Sequence, residues 1–481
     1  MTESFTGPSG LFIDGSFRPA SDGVVFPVED PSTGKTIVDV ANASVADGLE
    51  AAEAAQKALA PWGTRTPRER AEVLRAAFEL LTAHRDEIAD LIVAENGKAR
   101  VDALAEADYA AEFFRWFSEE AVRLPGSLRE SPTGNRRIME ISQPVGVVLA
   151  ITPWNLPAAM ITRKVAPALA AGCTVVVKPS NQTPLTALRI AELLTQAGVP
   201  SGAVNIVPTR RDREVIAALI DSSPVQMLSF TGSTQVGRQL LSQASGRILN
   251  TGMELGGNAP FIVFEDADVD KAVEAAMTAK MRHNAEACTA ANRFYVHDNI
   301  RAEFTGKFVQ AMEALRVGPG SEDGTEVGPL ASKAALEGLQ EAVDAALQAG
   351  AKRATGTDVP AGPGYYFAPT VLTDVAPDAD ILNHELFGPV APIVGFTDED
   401  HVVAMANATD MGLGSYIFSA DLARALRVAE RVHAGMVGVN TGIFSDPAAP
   451  FGGVKQSGIG REGGHHGIHE FLETKYIAVQ W

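Results

Sequence analysis

Cysteine is nearly absent from this chain, with only Cys173 and Cys288 among 481 residues. Two cysteines exclude a disulfide framework and a cysteine-rich metal cluster, so a reducing, cytoplasmic setting with no metal is expected. Positive charge is also short. Lys and Arg number 40 against 59 Asp and Glu, a formal net charge of −19, which argues against a nucleic-acid or anionic-membrane partner because both want a basic face. An anionic substrate would need a local cationic cluster, since the global field repels it. No long apolar run spans a membrane either: the most apolar stretch, 145–177, is broken by Pro153, Pro157 and Pro167 and carries Arg163 and Lys164. The N-terminus lacks the basic start and apolar run of a secretory signal. Repeats and low-complexity tracts are missing.

What is present is enough apolar residue, 46%, for more than one core, because single cores stop growing at roughly 250–300 residues. Residues 11–13 read as a strand. Residues 44–97 read as helical, with Thr66 as an N-cap, Pro67 at the first helical position, and Leu74, Ala77, Phe78 and Leu81 on one face. From 146 to 254 the pattern alternates: strands at 147–151, 174–177, 204–207 and 226–230, helices near 158–171, 185–197 and 213–220. Repeated strand–helix–strand units predict a parallel sheet covered on both faces, hence a doubly wound dinucleotide-binding domain. A second α/β series follows, with strands at 260–264, 294–296 and 436–439 and helices at 269–282, 301–315 and 334–348. Residues 136–142 and 475–480 read as a separate pair of strands, an arm of the kind that mediates oligomer contacts.

Several polar residues fall where such a fold binds ligands. Thr152-Pro153-Trp154-Asn155 and Lys178-Pro179 directly follow predicted strands, at the carboxyl ends where open α/β sheets hold ligands. Asn155 can donate to an oxyanion and Lys178 to ribose hydroxyls. In Phe230-Thr231-Gly232-Ser233-Thr234-Gln235-Val236-Gly237 a strand meets a helix through glycine, allowing a phosphate near the helix N-terminus. Glu254 is read as ending an apolar strand before Gly256-Gly257, and Cys288 lies in a small-residue stretch between helix and strand. A lone cysteine is more often packing than nucleophile, and Cys173 keeps that reading. A glutamate facing Cys288 across a cleft could act as general base.

Taken together, these segments resemble the aldehyde dehydrogenase superfamily over nearly the whole chain, joined by Glu385-Leu386-Phe387-Gly388-Pro389 and Pro450-Phe451-Gly452-Gly453-Val454-Lys455-Gln456-Ser457-Gly458. The resemblance implies an α/β fold: a doubly wound dinucleotide-binding domain (1–122 and 143–254), a second α/β catalytic domain (255–445), a small β oligomerisation arm (123–142 and 468–481), and 446–467 returning to the cofactor domain. It implies Cys288 as nucleophile, Asn155 with the Cys288 N–H as oxyanion hole, and Glu254 as base for deacylation. Lys164 and Glu462 match a proton relay. Thr152, Pro153, Trp154, Lys178, Ser180, Asn181, Gly232, Ser233, Gly237, Leu255, Glu385 and Phe387 match cofactor-binding positions.

Within that superfamily the chain is most similar to succinate-semialdehyde dehydrogenases, where Arg163, Arg282 and Ser445 match residues holding the substrate carboxylate, with Phe451 in the same pocket. Glutarate semialdehyde, one methylene longer, would use the same arginines. The motifs also admit a dehydrogenase for another aldehyde, an acyl-transferring relative that makes thioesters of coenzyme A, and a catalytically silent binding protein; Glu254 speaks against the second, and Cys288 and Glu254 together against the third. Asn181 stands where NAD-preferring relatives carry glutamate, which points to NADP over NAD. A homodimer or homotetramer is expected. The family's Gly-Gln before the cysteine is Ala285-Glu286 here, the phenylalanine after Trp154-Asn155 is Leu156, and a neighbouring second cysteine is Ala290. The first two changes bear on loop shape and substrate size.

Overall fold

The computed structural model describes residues 5–480; residues 1–4 of the expected cofactor domain and Trp481 of the expected arm lie outside them. The first large sheet runs in the order Gly458–Ile459, Asn250–Glu254, Val225–Thr231, Val147–Ile151, Thr174–Lys178, Val204–Ile206, Leu11–Ile13, Ser16–Arg18. Its five central strands are parallel, and taken in chain order they lie 5-4-1-2-3. Val147–Ile151 and Thr174–Lys178 are buried throughout, as continuous Val, Leu and Ile runs require when helices cover both faces. The strand order reverses between Val147–Ile151 and Val225–Thr231, and ligands bind at such a switch point.

A second sheet of seven strands is parallel apart from its edge: Lys352–Arg353, Thr370–Thr373, Val390–Phe396, Ala291–His297, Ala259–Val263, Gly414–Phe418, Met436–Val439. The expected strands at 260–264, 294–296 and 436–439 are there. The strands at 370–373, 390–396 and 414–418 and the helices Glu399–Asn407 and Leu422–Arg431 go beyond the elements expected from the sequence. The expected arm is a three-stranded antiparallel sheet, Leu472–Val479 beside Arg137–Pro144 beside Gly126–Glu130. Segment 446–467 returns to the first sheet through Gly458–Ile459, which pairs antiparallel with Asn250–Glu254.

Region 44–97 resolves into three helices, Val45–Gly63, Pro67–Ala83 and Arg85–Asn96. Thr66 and Glu69 form a reciprocal capping box with Pro67 in the first turn, satisfying donors a helix start leaves orphaned. Leu74, Ala77 and Leu81 are buried and Phe78 is half-buried against the same core. One expectation needs correction: Asn250–Glu254 is not an apolar strand, since only Met253 and Glu254 are buried. It belongs to the sheet through its backbone pairing.

Candidate active site

Three cavities meet at the switch point. The outermost, a groove of about 830 Å³, is lined by Thr152, Pro153, Trp154, Lys178, Ser180 and Asn181 on one side and by Gly232 and Ser233 on the other. Ser233 caps the helix Thr234–Ala244, accepting from the Val236 N–H. The helix start thus borders the groove, where unpaired N–H groups favour an anion. Lys178 Nζ lies 2.5 Å from the Asp212 carboxylate, so the lysine is ion-paired rather than free. Arg211 and Arg213 also border the groove. Gly237 does not. A Cβ there would press on Leu255 Cδ2 at 2.5 Å, so this glycine lets the helix pack against Leu255.

The groove leads to a chamber of about 210 Å³ bounded by Trp154, Asn155, Leu255, Glu385, Phe387 and Cys288. Trp154 and Phe387 meet edge to face with ring centroids 5.7 Å apart. Glu385 accepts from the Gly257 N–H at 2.9 Å, and burial pushes its carboxyl up to about 7. The paired glycines have separate reasons. A side chain on Gly257 would collide with the Cys288 carbonyl, and one on Gly256 would press on Glu385 Oε2 at 2.8 Å.

Cys288 also lines the third cavity, of about 140 Å³, with Arg163, Arg282, Ser445, Phe451 and Tyr109. Its thiol is therefore the wall between chamber and cavity. The Arg163 guanidinium lies 4.1 Å from the centroid of the Phe451 ring, and its Nε sits 2.9 Å from Glu462. Arg163 Nη2 and Arg282 Nε are buried without hydrogen-bond partners, and both guanidiniums border the same space. Sequence reasoning missed Tyr109 and His283 of this lining; neither belongs to one of the family motifs, although Tyr109 sits one helical turn from Glu106, an acid within the apolar stripe Ala103, Ala107, Ala110.

Electrostatics tie these groups together. Lys164 Nζ donates to Glu462 Oε1 at 2.6 Å and to Ser229 Oγ at 3.0 Å, joining the two expected relay residues directly. Glu254 ends its strand opposite Thr231, and both its carboxyl oxygens are buried without a hydrogen-bond partner. Gly452 leaves room for them, since a Cβ there would meet Glu254 Oε1 at 2.8 Å. Burial first, and the Glu462 charge second, raise the Glu254 pKa well above the ordinary carboxyl value, against the pull of Arg163 and Lys164. The Cys288 thiol is pushed up to about 12, chiefly by burial, with Glu385 adding and Arg163 opposing. Burial thus favours the proton-bearing form of both groups, and a carboxyl of raised pKa is, once ionised, a stronger base than an ordinary glutamate. The other cysteine, Cys173, is fully buried and its thiol approaches the Phe471 carbonyl at 3.3 Å, consistent with packing.

The Asn155 side chain donates through Nδ2 to the Glu286 carbonyl at 2.9 Å, which leaves one amide hydrogen uncommitted. Glu286 is buried, accepts from the Ala331 N–H at 3.1 Å, and is pushed up to about 8 by burial. Before it, His283, Asn284 and Ala285 have φ of 56°, 59° and 61°. Ala285 therefore holds, at the cost of strain, a left-handed conformation that glycine adopts freely.

A doubly wound sheet with a thiol at its switch point, a buried carboxylate behind it and a groove leading in defines an oxidoreductase of the nucleotide-dependent, thiol-dependent class. The chain belongs to the aldehyde dehydrogenase family, whose model matches residues 17–477, and it is an NAD(P)-dependent aldehyde dehydrogenase. It is 51% identical over 443 residues to a succinate-semialdehyde dehydrogenase of Paenarthrobacter nicotinovorans, covering 92% of this chain and 98% of that one. It is 46% identical to a glutarate-semialdehyde dehydrogenase of Pseudomonas putida, covering 97% of each. A crystal structure of an NADP-dependent enzyme of Escherichia coli superposes with a TM-score of 0.97 at 44% identity, covering 99% of this chain and 98% of that one.

Proposed function

We propose that this chain oxidises a short aldehyde carrying a carboxylate, succinate semialdehyde foremost, to the diacid with NADP or NAD. The observation that carries the proposal is the third cavity: two guanidiniums with unpartnered buried nitrogens share it with Cys288 in a protein of net charge −19. A guanidinium fork matches a carboxylate in two charge-assisted hydrogen bonds. Ser445 adds a hydroxyl. The relatives named for succinate and glutarate semialdehydes support the same class, and discrimination by one methylene is only about 1–3 kcal/mol, so glutarate semialdehyde is the second substrate.

The groove fits a dinucleotide: Lys178, Ser180 and Asn181 would hold the adenosine ribose, Gly232 and Ser233 the phosphates, and Glu385, Phe387 and Leu255 the nicotinamide end. The nicotinamide, when bound, supplies the hydride acceptor. The Cys288 thiol loses its proton to water and its Sγ bonds to the aldehyde carbon, while the carbonyl electron pair moves onto oxygen. Asn155 and the Cys288 N–H hold the resulting oxyanion, an interaction whose loss typically costs about 10²- to 10³-fold. Oxidation at that carbon leaves a thioester on Cys288. Glu254 takes a proton from water, the hydroxide attacks the thioester, and the C–S bond breaks to free the acid and the thiol. Lys164 and Glu462 carry the proton from Glu254 outward.

NADP is the favoured nucleotide, because Asn181 lacks a carboxylate that would repel a 2′-phosphate and because, with Lys178 paired to Asp212, Arg210, Arg211 and Arg213 on the groove wall stand against one other carboxylate, Glu214. The three-stranded arm, with Leu128 and Tyr476 exposed, supports a homodimer or homotetramer. The test is steady-state turnover of succinate semialdehyde, glutarate semialdehyde and butanal with each nucleotide. The value of kcat/KM should be highest for succinate semialdehyde with NADP. Equal values for butanal would overturn the substrate assignment.

A further inference from the structure

The proposed centre is assembled from separate pieces of chain. Asn155 follows the strand Val147–Ile151 of the first sheet, and Cys288 sits in the loop between the helix Val269–Met281 and the strand Ala291–His297 of the second. Their relative placement decides catalysis, since a misplacement of about 1 Å can cost on the order of 100-fold. Sheet geometry alone does not lock either loop.

One helix, Arg100–Glu120, reaches both. Asp102, Glu106, Tyr109 and Phe113 recur at spacings of a single helical face. Asp102 Oδ2 accepts from the His283 N–H at 2.7 Å, tethering the segment that leads to Cys288. Glu106 Oε1 accepts from the Ala158 N–H at 2.8 Å, and Oε2 accepts from Lys98 Nζ at 2.6 Å. The same ammonium donates to the Asn155 carbonyl at 2.6 Å. Tyr109 lines the third cavity, and Phe113 lies under Arg163 with the guanidinium 5.3 Å from its ring centroid.

Stability alone does not explain this arrangement. Lys98 and Glu106 are fully buried, and apolar residues of like volume would often stabilise at least as well as a buried ion pair. Such groups do fix geometry. The nucleophile loop needs fixing, because His283, Asn284 and Ala285 are all left-handed, and strained runs persist only where the surroundings over-determine them. Asn284 is held by the Gly328 N–H at 2.8 Å and by the Pro329 carbonyl at 3.1 Å. Asp102 supplies the tether at the start of the run.

We infer that Asp102 and Glu106, with Lys98, are positioning residues: the helix acts as a jig that sets Cys288 against Asn155 across the two sheets. The inference rests on the roles proposed above for Cys288 and Asn155, and nothing in it requires these three side chains to touch substrate.

The experiment compares Asp102→Ala with Asp102→Asn in the full chain, measuring kcat, KM and nucleotide affinity with succinate semialdehyde and with butanal. Asp102→Ala should lower kcat for both aldehydes by roughly tenfold to a hundredfold with little change in KM or nucleotide affinity. Asp102→Asn should retain most of the activity, because its Oδ1 accepts the same N–H. Adding Ala285→Gly to Asp102→Ala should recover part of kcat, since a glycine holds the left-handed turn with less tethering. Wild-type kcat in Asp102→Ala, equal damage in Asp102→Asn, or no recovery with Ala285→Gly overturns the inference. Should Asp102→Ala fail to fold, Glu106→Gln replaces it: it keeps an acceptor for the Ala158 N–H while loosening Lys98, and wild-type kcat there is equally fatal. Cys288→Ser separates the two levels. If it still turns over, the site assignment itself fails; if it is dead while Asp102→Ala is normal, only the jig fails.

Discussion

Replacing Arg282 by alanine isolates recognition of the substrate carboxylate more cleanly than replacing Arg163. Both arginines border the cavity beside Cys288. Arg163, however, also lies 2.9 Å from Glu462 and stacks on Phe451, so its removal disturbs the Lys164–Glu462 pair as well as substrate binding. Arg282 Nε has no hydrogen-bond partner. Truncating one partner of a desolvated ion pair costs about 2–5 kcal/mol, which corresponds to roughly 30-fold to several-thousand-fold at about 1.4 kcal/mol per factor of ten. The loss is of binding common to ground and transition states, so KM should rise by this factor while kcat moves little. Butanal carries no carboxylate, and its KM should shift far less, since it forms no ion pair for the truncation to break. For Arg163→Ala, kcat should fall for both aldehydes, and the double variant should be less than additive in KM because both groups share one partner. Initial-rate measurements of nicotinamide reduction across both substrates provide the assay. An Arg282→Ala enzyme with wild-type KM for succinate semialdehyde, or one that loses butanal equally, would show that Arg282 does not hold the carboxylate.

Other outcomes follow from the same geometry. Ala285→Gly should stabilise the protein, since a left-handed alanine costs about 1–2 kcal/mol and the extra freedom of unfolded glycine returns about 0.4–1 kcal/mol of that; a higher denaturant midpoint would confirm it and a lower one would show the strain is absent. Glu286→Gln should gain stability relative to wild type as pH rises: burial raises the acid from its ordinary 4.5 to about 8, so wild-type stability from this group is full below the unfolded value and is lost as pH climbs through the folded one. The difference in melting temperature between the two proteins should be constant below about pH 4.5 and widen in favour of the glutamine by pH 8; a gap that never changes would mean that the charge is not the cause. Asn181→Glu should move the kcat/KM ratio toward NAD by introducing a carboxylate near the 2′-position, and an unchanged ratio would place selectivity with Asp212, Arg211 or Arg213.

Much of the first sheet was legible because its strands are continuous Val, Leu and Ile runs such as Val147–Ile151, punctuated by helices of ordinary length. The second sheet was harder to read. Val390–Phe396 contains Pro392 and Gly395, and Gly414–Phe418 opens on Gly-Ser, so neither carries the usual strand composition, and long-range parallel pairing overrides local preference. Of the candidate residues, Arg163, Arg282, Ser445 and Phe451 do share one cavity with Cys288, and Asn155, Leu255, Glu385 and Phe387 share the chamber on its other side. What motif reading could not supply was the support behind them. Lys98, Asp102 and Glu106 act on backbone atoms of distant loops, and such contacts exist only once segments far apart in the chain have folded together. The ion pair between Lys178 and Asp212 and the packing of Gly237 against Leu255 were invisible for the same reason.

At the heart of the proposed chemistry is a thioester on Cys288 that Glu254 resolves. Rapid mixing of Glu254→Gln with succinate semialdehyde and NADP, followed by mass spectrometry of the quenched protein, reads that intermediate itself. A burst of reduced nucleotide near one equivalent per active site should appear, then slow turnover, with a succinyl adduct on the peptide containing Cys288. Turnover at the wild-type rate without a burst, or an adduct on any other residue, would overturn the assignment of both residues.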